Sequence, residues 1–251
     1  MKLTVDTHCH TISSGHAYST IAEITAEARK KGIRMLAMTD HGPSVPGGPN
    51  LLHFVNLRVL PEYINGVRVL KGAEVNIIDF EGRLDLPVSV LERLELVIAG
   101  LHDVSMSPGT VEENTRAVIR AMGNPLVDII AHPGNPRFPI DIEKVVQCAA
   151  DTNTLIEINN TSFTAARKGS YENCKNIALE ARRRGIKLCV GSDAHVSFDV
   201  GKFDKVLELF QETGIKEEQV LNTQPEKVIM YLQDKGKNIE YDSLIYNKAQ
   251  Q

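Results

Sequence analysis

Two histidines stand one residue apart in VDTHCHT (residues 5–11), where the first apolar run of the chain ends. Residues i and i+2 of a strand point to the same side, roughly 6.5–7 Å apart. Two imidazoles at that spacing can lean onto one ion at about 2.0–2.1 Å each. His8 and His10 are therefore a natural chelate, and Cys9 between them should face the other way. Asp193 and His195 in VGSDAH repeat the spacing far along the chain, and His16 lies in the loop SSGHAYS. Polar residues also follow the other apolar runs. These are Asp40 and His41 (MTDHG), His102 and Asp103 (AGLHD), His132 (IIAHPG), and Asn159 and Asn160 (EINN), with Glu74 late in KGAEVN. A carboxylate inside an apolar strand needs a cation, a proton or several donors. Any one of these residues has a plainer reading, such as a hydrogen-bonded histidine or a helix-capping aspartate. Together they predict a multinuclear metal site. His53, in NLLHFVN, stays outside the set and is read as a surface or core histidine. His132→Ala should cost metal and activity, and His53→Ala neither.

Such residues must be carried by elements that end at one place. Short apolar runs at 3–6, 34–39, 67–78, 95–101, 127–131, 154–159 and 187–192 read as seven strands. Helical patterns lie at 20–31, 110–122, 171–184 and 203–212, with glycine stops at Gly32, Gly123, Gly185 and Gly214. Thr110 and Glu113 have capping-box spacing. The alternation implies a mostly parallel sheet, and the nearly all-apolar strands imply cover on both faces. Seven strands suit a closed or distorted barrel, and in a parallel barrel all the polar positions share the rim at the strand C-termini. Residues 79–87 (DFEGRLDLP) read as a hairpin or excursion, and the polar chain beyond about residue 236 as loosely packed.

The chain has 251 residues, a length suited to one barrel domain with a core at about 3–236. Net charge is −4 with a pI near 6.1, which makes no case for nucleic-acid or membrane binding. No run approaches a membrane span, and MKLTVDTHCH lacks a signal-peptide core, so a cytoplasmic protein is expected. Cys9, Cys148, Cys174 and Cys189 form no C-x-x-C pair and read as small buried thiols.

The motifs DTHCH (6–10), TDHG (39–42), GAE (72–74), GLHD (100–103), AHPG (131–134) and GSDAH (191–195) resemble, in order, those of the PHP family, named for polymerase and histidinol phosphatase domains. NPRFPID (135–141) and INNTSFTAARKGSYENC (158–174) are similar to its small stand-alone phosphatase branch. The resemblance implies a distorted (β/α)7 barrel, TIM-like, with three divalent ions at the rim. They are usually zinc, although manganese and iron suit the same donors. Carried over by position, His8, His10, Glu74 and Asp193 hold one ion. Glu74, His102 and His132 hold a second, and His16, His41 and His195 a third. That leaves open coordination positions, the mark of catalytic rather than structural sites.

The expected chemistry is hydrolysis of a phosphate monoester of a small metabolite by water made reactive between two ions. Arg137 and Arg167, in loops after the fifth and sixth strands, are candidates to fork onto the phosphate, with Lys168 a weaker one. Asp40 is expected to orient a ligand histidine. Two rival readings are a phosphodiesterase of the nuclease type and a non-catalytic zinc-binding module. The acidic balance speaks against the first and the complete donor set against the second. An amidohydrolase is disfavoured, because no lysine is placed to bridge two metals.

Overall fold

The computed structural model describes residues 1–242. Among these residues eight strands form one sheet: β1 (Val5–Cys9), β2 (Met35–Met38), β3 (Tyr63–Ile64), β4 (Val67–Asn76), β5 (Leu96–Gly100), β6 (Ile129–Ile130), β7 (Leu155–Asn159) and β8 (Leu188–Gly191). All but β3 run parallel in the order β1-β2-β4-β5-β6-β7-β8, giving the seven parallel strands of a nearly closed barrel. The short β3 pairs antiparallel with the start of β4 and lies off this path. It was not foreseen, because two residues carry no readable alternation.

The seam between β8 and β1 is closed in two ways. Near the rim, backbone bonds run from Asp193 N to His8 O (2.9 Å) and from His10 N to Ala194 O (2.9 Å). Lower down, the Asn222 carboxamide stands in for a strand. Its oxygen accepts from Val190 N, and its amide donates to Val190 O and Val5 O. Asp6 binds the same junction from behind, accepting from Ser192 N (3.0 Å) and Gly201 N (2.8 Å).

Among the described residues, eight helices surround the sheet: α1 (Ile21–Lys30), α2 (Leu51–Asn56), α3 (Val88–Leu91), α4 (Val111–Met122), α5 (Ile142–Thr152), α6 (Ser170–Arg184), α7 (Asp204–Thr213) and α8 (Pro225–Asp234). The capping box at Thr110 and Glu113 forms, and Thr20 with Glu23 makes another at α1. The four helices read from the sequence are α1, α4, α6 and α7. Four were missed: α5, which ends at Asn153 in a left-handed conformation (φ 50°) instead of at a glycine, α2 and α3, which are too short to show a period, and α8, which opens at Pro225 with no side-chain cap. The excursion at 79–87 folds back on β4, with Ile77 bridging Leu84.

Two apolar clusters show which way each strand residue points. The outer one, between sheet and helices, holds Leu36, Val69, Val75, Val97, Ile156 and Val190. The inner one holds Val5, Met35, Leu70, Leu96, Ile129, Leu155 and Cys189, and α8 plugs its base with Val228, Ile229, Tyr231 and Leu232. Inward residues on β4, β7 and β8 therefore continue upward, by the period of two, to Glu74, Glu157 and Gly191. The chain past Leu232 departs from the loose tail expected. Ile239 is buried in the inner cluster, and Tyr241 packs against it and accepts from Arg34 Nη2 (3.0 Å). Residues 243–251 lie outside the described residues. No described helix is long and apolar enough to cross a membrane.

Candidate metal centre

Strand β1 delivers its histidines through a break in its own alternation. Val5 packs inside the barrel, yet Cys9, four residues on and of the same parity, packs outside. The pairing of β1 with β2 slips between Asp6 and Cys9. Such a bulge re-aims the side chains beyond it, so His8 and His10 turn inward while Cys9 turns outward, as its place between them suggests.

His8 Nε2 and His10 Nε2 lie 3.0 Å apart. Glu74 Oε2 is 3.2 and 3.4 Å from them, and Asp193 Oδ1 is 3.7 and 3.1 Å. Donors held tetrahedrally at about 2.0–2.1 Å from one ion are ~3.3–3.4 Å apart, so these four atoms have the spacing of one coordination shell. The other oxygen of Glu74 faces a second group. Oε1 is 3.2 Å from His102 Nε2 and 2.8 Å from His132 Nε2, and the two nitrogens are 3.2 Å apart. Gly100 makes room for this group, since a Cβ there would come within 2.9 Å of the His102 ring. A third group is looser. His16 Nε2 and His195 Nε2 meet at 3.0 Å, and the His41 ring stacks on His16 at 5.0 Å. However, His41 Nδ1 faces Glu74 Oε2 at 2.9 Å, so His41 sits between the groups instead of closing the third.

The surroundings of five rings fix which nitrogen carries a proton. His8 Nδ1 meets Glu157 Oε1 (2.8 Å), His102 Nδ1 meets Asn76 Oδ1 (2.7 Å), His16 Nδ1 meets Ser14 O (3.0 Å) and His195 Nδ1 meets Asp193 O (2.9 Å). His10 Nδ1 meets Ser14 Oγ (3.2 Å), whose own proton goes to Asp40 Oδ1 (2.7 Å). Each of these partners can only accept, so Nδ1 donates and the neutral ring keeps its lone pair on Nε2. Lone pairs thus face each other at the centre. Three more buried atoms there, His41 Nδ1, Glu74 Oε2 and Asp193 Oδ1, have no hydrogen-bond partner. Burial, reinforced by His41, lowers His10 to about 3, and burial with Arg167 lowers His132 to about 4. Burial would lower His8 too, but Glu157, Glu74 and Asp193 outweigh it and raise it well above the usual range, so without a cation among these carboxylates this ring draws a proton onto Nε2 in the cation's place. A convergence of acceptors that repel one another fits divalent cations held by imidazole and carboxylate.

Glu157 was missed, although the sign that flagged Glu74, a carboxylate inside an apolar strand, is equally present in TLIEIN. Besides His8, it accepts from His132 N (2.9 Å) and Asn159 Nδ2 (3.0 Å). Its room comes from Gly191, where a Cβ would fall inside the carboxylate. Asn76 and Asp85 support His102 in the same manner, Asn76 Nδ2 donating to Asp85 Oδ2.

Asp40, expected to orient a ligand histidine, reaches one only through an intermediary. It is fully buried behind the rim and touches none of the seven rim histidines with its carboxylate. Its link to His10 runs through Ser14. Burial would raise its pKa, but His53, Ser14, His10 and Thr11 hold it at about 2. His53, read as a surface or core histidine, is partly buried, and its Nε2 lies 3.2 Å from Asp40 Oδ2.

A cavity of about 650 Å³ opens over the centre, lined by His16, His41, His102, Asp193 and His195 below and by Arg137 and Arg167 at the side. Arg167 is largely buried and donates from Nη1 to Asp193 Oδ2 (2.8 Å). Arg137 is exposed and pairs with Asp103 (2.9 Å). Lys168 is not among the lining residues.

A family model described as the PHP domain matches residues 6–245. A probable phosphatase of Thermoanaerobacter sp. (strain X514) is 57% identical over 240 residues, covering 95% of this chain and 98% of that protein. A probable phosphatase of Acetivibrio thermocellus is 54% identical over 239 residues, covering 95% and 99%. Among solved structures, the histidinol phosphate phosphatase of Lactococcus lactis, complexed with zinc, L-histidinol and phosphate, superposes with a TM-score of 0.58. That match has 12% identity and covers 86% of this chain and 95% of the other, a likeness of fold.

Proposed function

This chain belongs to the PHP domain family, and from that premise we propose that it is a metal-dependent phosphatase acting on phosphate monoesters of small molecules. The observation that carries the reading is the set of inward-facing lone pairs and unpartnered acceptors under a cavity with two arginines. Relatives above half identity named as probable phosphatases support it.

In this reading His8, His10, Glu74 and Asp193 hold one ion, and Glu74, His102 and His132 a second. His16 and His195, with His41 turning towards them, hold a third. Bound divalent ions in such a site lower the pKa of water towards 7 and polarise phosphoryl oxygens. The chain supplies the rest. Glu157, Asn76 and Ser14 fix the imidazole rings before substrate arrives, so little reorganisation remains at the moment of reaction. Arg167 keeps Asp193 in place through Nη1 and borders the cavity, where it binds a phosphate oxygen. Arg137 exchanges Asp103 for substrate at the mouth. Val45, Pro46, Leu101 and Val104 form an apolar wall against which the alcohol portion packs.

Elemental analysis of protein purified without added metal, paired with turnover of an aryl phosphate and of a bis-aryl phosphodiester, tests the reading. Three divalent ions per chain and a monoester rate above the diester rate are expected. A faster diester rate would overturn the substrate class, and protein that neither carries nor takes up metal would overturn the whole.

A further inference from the structure

We propose that His53 is a positioning residue of the metal centre, acting on His10 through Asp40 and Ser14. The proposal rests on the reading above, in which His10 binds an ion. Three contacts make the line. His53 Nε2 lies 3.2 Å from Asp40 Oδ2, Asp40 Oδ1 accepts from Ser14 Oγ (2.7 Å), and Ser14 Oγ accepts from His10 Nδ1 (3.2 Å). The backbone N of His41 also donates to Ser14 Oγ, at 3.2 Å. One hydroxyl thus fixes the ring of one candidate ligand and the backbone of another, and its own direction is set by Asp40.

The helix that brings His53 there is built to hold it. Asn50 caps α2 by accepting from Leu52 N (2.9 Å). Phe54 is buried in the outer core, and its ring meets His53 edge-on at 5.0 Å. With Phe54 anchored, the preceding ring is turned to the Asp40 side. His53 Nε2 is buried and makes no aligned hydrogen bond, and Asp40 is the only charged group within ion-pair distance of it among the described residues, so what holds it there is an ion-pair approach at 3.2 Å. Asp40 also accepts from Thr11 N (2.7 Å) and Thr11 Oγ1 (2.8 Å). Both of those donors come from the turn that carries Ser14. Among the described residues, His53 Nε2, 3.2 Å from Asp40 Oδ2, is the one side-chain nitrogen that approaches this carboxylate from outside that turn, and so ties the turn to a separate element. Without it, Asp40 and Ser14 can shift together, and His10 Nε2 with them. A packing role alone would leave the identity of the atom facing Asp40 immaterial.

The test follows transfer of zinc from the purified holoprotein to a chromogenic chelator, with melting of the metal-free and zinc-loaded forms measured alongside. In His53→Ala, zinc should be lost about 10-fold faster, the lower end of the cost of an outer-shell partner, which replaces the expectation from the sequence that this substitution costs no metal. His53→Gln, whose amide can donate to Asp40 Oδ2, should recover most of the difference. The zinc-loaded form alone should melt lower. Equal release by His53→Ala and the unaltered protein would overturn the proposal. So would a His53→Gln variant as leaky as the alanine one, or an equal drop in melting of both forms. If His53→Ala does not fold, the glutamine variant decides, since release as fast as from Asp40→Asn would count against the proposal. Unaltered protein that takes up no zinc would instead refute the metal reading itself.

Discussion

The two ends of the barrel handle buried polarity in opposite ways. At the base, Arg68 and Glu95 pair at 2.7 Å, the Tyr231 hydroxyl shares its one proton between Asp128 O (2.6 Å) and Asn153 O (3.0 Å), and Asn222 satisfies the open seam. The unpartnered atoms that remain there, Arg68 Nε and Asp128 Oδ1, are far apart in kind and each belongs to a group bonded elsewhere. At the rim, the unpartnered atoms of His41, Glu74 and Asp193 converge, and facing imidazoles add lone pairs to them. Dispersed orphans are the residue of imperfect packing, whereas convergent ones describe a missing ligand. The base is arranged for stability, and the rim keeps an unsatisfied arrangement that an ion completes.

The sharpest test of that contrast is Glu74→Gln. The amide puts hydrogens towards nitrogens that need a cation and removes the charge that both inner groups share. Metal content should fall, and aryl phosphate turnover should drop about 10³-fold. Chelation of the unaltered protein should lower its melting temperature, since an ion bound only by the folded state stabilises it. Chelation should leave Glu74→Gln unmoved. A chelator effect of equal size in both would mean that the ions stabilise the protein from somewhere other than the rim.

Glu157→Gln sharpens the comparison one step further from the centre. Three donors, His8 Nδ1–H, His132 N–H and Asn159 Nδ2–H, surround this carboxylate. An amide can satisfy only those facing its oxygen, so either His8 or the pair on the other side meets a second donor. Zinc affinity should fall by about 10- to 100-fold, measurable by chelator competition. Unchanged affinity would show that the orientation of His8 does not depend on its neighbour.

The sequence already displayed much of the rim, because ligand chemistry demands residue types that are rare inside apolar strands. Seven parallel strands and the positions of His8, His10, Glu74, His102, His132 and Asp193 followed from that contrast. What stayed hidden depends on contacts between distant segments. Glu157 carried a readable signal, but Ser14 and His53 are ordinary residues until a turn and a short helix bring them against Asp40. The bulge in β1 is invisible as a pattern, since Val5, Cys9 and the residues between them read as an unbroken alternation. The base was equally silent. Asn222 and Ile239 gain their roles only from where the chain end crosses the barrel.

The smallest predicted effect concerns the base and has the opposite sign. Burial raises the Asp128 carboxyl to about 6 against the pull of Lys237, which lies 3.5 Å from its Oδ2. The ordinary value is 3.8, so between these two pH values the folded chain binds more protons than the unfolded one. Stability from this group is therefore greatest at low pH and is lost as pH rises through about 6. A shift of about two units sets an upper bound near ~3 kcal/mol. Asp128→Asn removes the charge and keeps an oxygen for Val97 N–H, which donates at 2.8 Å. Loss of the Lys237 attraction offsets part of the gain, leaving about 1 kcal/mol of stabilisation at pH 8 and almost none at pH 4. Urea denaturation of the metal-stripped protein at both pH values isolates the effect from the rim. Destabilisation at pH 8 would mean that the pair with Lys237 outweighs the burial of its charge, and that the base, like the rim, depends on an ionic contact.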